Sequence, residues 1–120
     1  MSRRNTARVR EAEWRAACEA EEQAKQATAD ADAAEEAASA EVYEIATRLR
    51  VAVTALAAGQ HADDDIDVLF AENAATQNRL RDAIRARNAA TTALRTAWKA
   101  RHRAEDNLDR AVARENGRTA

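Results

Sequence analysis

The chain has 120 residues, of which 34 are alanine, with no proline, two glycines and a formal net charge of −2. That length allows one domain at most, and the composition excludes a strand-based fold and any enzyme built on glycine-rich loops. Val, Ile, Leu and Phe together number only 16, so whatever core forms is thin.

Arg3, Arg4, Arg8 and Arg10 give the N-terminal stretch a basic character. Residues 1–30 hold no apolar h-region, and no stretch approaches the ~18 apolar residues of a membrane span. This predicts a cytoplasmic protein, or one held within a phage particle. Cys18 stands alone and closes no internal disulfide, which suits a reducing compartment. Seventeen of the nineteen basic residues are arginine, a bias that fits a GC-rich bacterial or phage genome.

From about residue 6 to residue 58 the sequence predicts one uninterrupted helix. Traced back from its end, the expected inner stripe is Leu56, Val53, Leu49, Ala46, Val42, Ala38, Glu35, Ala31, Thr28, Ala24, Glu21, Ala17 and Trp14. Between residues 15 and 41 the only apolar side chains are alanines and Cys18. A stripe that small lets backbones approach but buries little, so the stable end of the structure is expected near residue 60.

The one strong punctuation is Gly59-Gln60-His61-Ala62-Asp63-Asp64-Asp65, with a turn expected at residues 59–64. Gly59 suits the left-handed position just past a helix, and the aspartates supply an N-cap and first-turn anions for the next one. An EF-hand loop starting at Asp63 needs glycine where Val68 stands and glutamate where Ala74 stands, so no metal is expected.

The second helix is expected over residues 64–116, with the stripe Ile66, Leu69, Asn73, Thr76, Leu80, Ile84, Arg87, Thr91, Leu94, Trp98, Arg101, Glu105, Leu108 and Val112. Its steps alternate three and four except for a double four at Thr76–Leu80–Ile84, which reads as a stutter of the heptad, mirrored on the first arm. A hairpin centred on His61 pairs residues whose numbers sum to about 122, such as Leu49 with Asn73, Ala38 with Ile84, Ala24 with Trp98 and Trp14 with Leu108. Charge agrees with that direction. Residues 79–103 carry a net +7 and residues 19–43 a net −7, which an antiparallel hairpin lays side by side. On the same rule Arg81 mirrors Glu41 and Arg103 mirrors Glu19. The predicted fold is an all-α, coiled-coil-like antiparallel two-helix hairpin forming a single unit.

Chemistry is sparse. His61 and His102 are too far apart along the helices to share a site, adjacent carboxylates such as Glu21/Glu22 point to different faces, and no Glu-x-x-His repeat occurs. The reading is therefore non-enzymatic, with no cofactor, small-molecule substrate or membrane partner. Apolar residues off the stripe point to a second contact surface, for which Tyr43, Val51, Val68 and Phe70 are the candidates. They predict a structural or protein–protein interaction subunit that forms a homo-oligomer or joins a larger assembly, a phage particle being one suitable setting. The alternative is a nucleic-acid accessory protein gripping phosphates through Arg3, Arg4, Arg8, Arg10, Arg110, Arg114 and Arg118 together with the second arm.

Overall fold

The computed structural model describes residues 3–119, and their side chains from residue 6 to residue 117. It is an all-α hairpin of two helices, α1 (Arg3–Ala57) and α2 (Ile66–Thr119). Alanine dominates both and no proline interrupts either, so propensity alone favours unbroken helix. The chain divides into two compact units, each drawing on both helices. The turn unit is Asp30–Asn88, and the open-end unit takes in α1 up to Ala29 and α2 from Ala89.

Capping sets the turn. Gly59 has a φ of 76°, as expected for the residue after a helix end. Gln60 N–H donates to the Ala55 carbonyl at 2.8 Å and Gly59 N–H to the Leu56 carbonyl at 3.1 Å, the paired bonds of a Schellman closure. Of the aspartate run, Asp65 is the N-cap. Its Oδ1 accepts from Asp67 N–H at 2.9 Å and Val68 N–H at 3.3 Å, and its carbonyl accepts from Leu69 N–H at 3.0 Å. Asp64 faces back to α1, where it accepts from Arg48 at 2.8 Å. The second helix therefore starts two residues later than the sequence predicted.

One run of sheltered positions passes along α1 through 7, 10, 14, 17, 21, 24, 28, 31, 35, 38, 42, 45, 49 and 52, and along α2 through 66, 69, 73, 76, 80, 83, 87, 90, 94, 97, 101, 104, 108, 111 and 115; positions 6, 18, 41, 47, 55, 84, 102, 105 and 107 beside it are half-buried too. Each position of the run is buried or half-buried, and its steps alternate three and four without a break. The three-four run continues through both places where a stutter was expected, and Ile84 of the expected stripe is half-buried beside Ala83. Ala46, Val53, Leu56, Thr91, Trp98 and Val112, all expected inside, are exposed. Their places are taken by Ile45, Ala52, Ala90, Ala97 and Ala111, because unbroken heptad phase decides which face turns inward even where the larger side chain sits one position away.

Ion pairs join the helices where the charge mirror placed them. Arg87 meets Glu35 at 2.6 Å in the turn unit and Arg101 meets Glu21 in the open-end unit, both pairs summing to 122. Arg79 pairs with Glu41, summing to 120, so Glu41 takes Arg79 and not the expected Arg81. The Thr28 hydroxyl, which donates to Ala24 O at 2.9 Å, also lies 3.4 Å from the Ala90 carbonyl, a sum of 118. Long side chains lean toward their own helix N-terminus, so ion-paired numbers overstate the sum for positions at equal height. The short threonine is the tighter gauge and puts level positions of the open-end unit near 118, so that Trp14 stands level with Ala104 and not with Leu108. The seam is lettered from Ala7 as a on α1 and from Ile66 as a on α2.

Buried apolar residues among those described are Ile45, Ala52, Leu69 and Ala111, three of them in the turn unit. Thr76 is equally enclosed, its hydroxyl donating to Asn73 O at 3.0 Å. No helix of the described residues is long and apolar enough to cross a membrane.

Candidate interaction surface

In an antiparallel pair the e positions of both helices share one side and the g positions the other. The two sides of the turn unit differ in kind. On the g side Arg79 pairs with Glu41, and Arg48 forks onto Asp64 through Nε and Nη2. The hydrogen bond from Arg48 holds the Asp64 carboxyl below its usual range against the opposing effect of burial, while the bonds to Asp64 and Glu41 raise Arg48 and Arg79. On the e side stand Asp32, Ser39, Ala46 and Val53 of α1 with Phe70, Gln77 and Ile84 of α2. Val53 is 42% exposed and Phe70 54%, and Tyr43, at the adjoining b position, is 74% exposed.

The expected partner residues therefore fall into two groups. Tyr43 and Phe70 lie on the apolar e side, where Val53 joins them. Val51 and Val68, both at c, are exposed on the other side. Val51 lines a groove at the turn with Thr47, Arg48, Ala55 and His61. Val53, a large apolar residue near the turn, reads from sequence as part of the seam. Counting in sevens from Ile45 and Ala52 places it one step outside.

In the open-end unit the best-sheltered polar group is Glu21, reached by Arg101 from the facing helix. Arg101 also contacts Glu105 at 3.3 Å and His102 Nε2 at 3.2 Å. Trp98, expected to slot in opposite Ala24, is 49% exposed and lies against the His102 ring at a centroid distance of 4.0 Å. With Leu94 it lines a shallow groove bounded by Lys25, Thr91 and Arg95.

The arginines of the alternative reading separate likewise. Arg10 pairs with Glu13 at 2.9 Å and lines one groove with Arg110 and Arg114, beside Thr6 and Asn107. Arg8 lines a different groove with Glu11 and Glu115. The side chains of Arg3, Arg4 and Arg118 lie outside the described residues. Among the described residues no three His, Cys, Asp or Glu side chains group as a metal site would require. Comparison with protein-family models, with curated proteins and with solved structures finds no match to this chain.

Proposed function

We propose that the chain is a non-enzymatic structural or interaction subunit that presents its helical hairpin to copies of itself or to a larger assembly. The observation that supports this most is the group of exposed apolar residues Tyr43, Val53 and Phe70 on one side of the turn unit, across from the ion pairs Arg79–Glu41 and Arg48–Asp64. Exposed apolar residues concentrated near the turn of a chain with so small a core, Tyr43, Val53 and Phe70 on one side and Val51 and Val68 on the other, favour a surface that a partner covers. Sedimentation equilibrium of the full chain between micromolar and millimolar concentration tests self-association, and purification from its native source with partners attached tests the larger assembly. A strict monomer that co-purifies with nothing overturns the reading.

A second reading is favoured by the convergence of Arg10, Arg110 and Arg114 on one groove, a triad suited to phosphate oxygens. It predicts duplex binding that weakens steeply with salt and is lost when the three become alanine. The absence of a mobility shift at low salt removes it.

A further inference from the structure

The g positions of the open-end unit stand on a side that gathers positive charge. Thr6 and Arg10 of α1 and Asn107, Arg110 and Arg114 of α2 line one groove together with the buried Ala111. Three of these side chains are cations, all five of the polar ones can donate hydrogen bonds, and no carboxylate lines the groove. Glu13 stands beside it, but its Oε2 already accepts from Arg10 at 2.9 Å. Arg110 and Arg114 make no ion pair among the described residues, and neither does Arg103, two turns before Arg110 on the same helix. Like charges one turn apart on a helix repel, and Arg10 brings a third from the facing helix. An anion between the guanidiniums reverses that repulsion, which a neutral ligand does not.

Size narrows the choice of anion. The groove holds about 70 Å³. That is room for roughly five water-sized atoms, and well under the ~300 Å³ of a small organic site. A phosphorus with its oxygens is of that size, and guanidinium forks meet phosphate oxygens two at a time. The Thr6 hydroxyl and the Asn107 amide can donate to oxygens that the forks leave over. The lining comes from both helices of the unit in which, among the described residues, Ala111 is the one buried apolar side chain. A ligand gripped by both helices stabilises their pairing there, and by linkage the pairing strengthens the grip.

We propose that this groove is a phosphate-binding site whose occupant clasps the two helices together at the open end. It rests on the second reading above, whose groove this is. The phosphate is a free ion or one group of a nucleic-acid backbone. The test melts the full chain by circular dichroism in millimolar inorganic phosphate and in sodium chloride of equal ionic strength, the same signal giving each variant's helix content. Phosphate is expected to raise Tm on the order of 2–5 °C above the chloride value. Arg110→Gln and Arg114→Gln should each remove at least about half of that rise, while Arg103→Gln, outside the groove, keeps it. Equal melts in the two salts, or a rise that survives both groove variants, overturns the site. Competition with a labelled duplex at constant ionic strength gives the source. Release of bound duplex by inorganic phosphate puts a backbone phosphate in the groove. A phosphate rise without duplex binding keeps the site for the free ion and overturns the nucleic-acid reading. Duplex binding without a phosphate rise overturns the clasp while that reading stands.

Discussion

Glu21 is buried on α1, and Arg101 reaches across from α2 to donate to its carboxylate through Nε. Lys25 Nζ stands 3.6 Å from the other oxygen. Burial pushes this carboxyl up, but the hydrogen bond from Arg101 and the charges of Arg101 and Lys25 together outweigh it, and it lies below its ordinary value. The pairing fixes a polar group inside an alanine-rich seam that has almost nothing else to specify alignment.

Removing either partner separately is therefore expected to cost more than removing both. Arg101→Leu leaves a sheltered carboxylate without its cation and should lower Tm on the order of 5–10 °C, with Glu21→Gln lowering it less. Glu21→Leu with Arg101→Leu should recover most of the loss. Thermal melts at pH 7 give the order; equal losses for all three would show that the pair has no coupling.

The pH dependence follows from the direction of the shifts. Glu21 and Asp64 are both depressed in the folded chain. Their contribution to stability is thus complete above the unfolded carboxyl values, roughly 4. It is lost as pH falls through the lower folded values. Stability should be flat from pH 7 to about 5 and fall below about 4. Glu21→Gln should make that acid limb shallower, and an unchanged limb would assign it to other carboxylates.

The turn gives two independent losses. A Cβ at Gly59 meets nothing within 4 Å, so Gly59→Ala should cost only the left-handed conformation, about 1 kcal/mol, and Gly59→Asn less. Asp65→Ala should cost about 1 kcal/mol through the lost cap, and Asp65→Ser should restore most of it. Asp63→Ala should change little, which urea titration of the three variants would show.

These caps were legible in the sequence because glycine and aspartate act locally. The direction of the hairpin was legible as well, because charge is read from the sequence without knowing helix phase. Phase was where reading failed. Trp98, Val112 and Val53, as large apolar residues, place the expected stripe one position outside the sheltered run. In a chain this rich in alanine, size is a poor guide to burial: Ala111 is 6% exposed while its neighbour Val112 is 40% exposed. The separation of Tyr43 and Phe70 from Val51 and Val68 was hidden for the same reason, since assigning them to one side requires the correct phase.

Leu69 and Phe70 test that phase directly. Leu69 is 1% exposed at a d position and Phe70 is 54% exposed at e. Leu69→Ala should destabilise by about 2–4 kcal/mol, a large share of what so small a core supplies. Phe70→Ala should leave the stability of the dilute monomer within about 0.5 kcal/mol while weakening self-association. If both substitutions cost the same in dilute solution, the phase described for α2 is wrong.

Alignment in the open-end unit can be read from one native thiol. Cys18 is half-buried at an e position of α1. With level positions near 118 and Cβ atoms leaning one position toward each N-terminus, Cys18 and Ala104 are offset by about 3 Å along the helices. Ala111 is a further ~10 Å along the helix. An Ala104→Cys chain treated with a short bismaleimide should therefore give an internally linked product that runs as one chain on a denaturing gel, and Ala111→Cys should not. A link through Ala111→Cys in place of Ala104→Cys would displace α2 by a heptad in the open-end unit. A covalent dimer as the main product would mean that α1 packs on α2 of another chain. In that case Glu21 and Arg101 would still meet, but the hairpin would be built from two molecules.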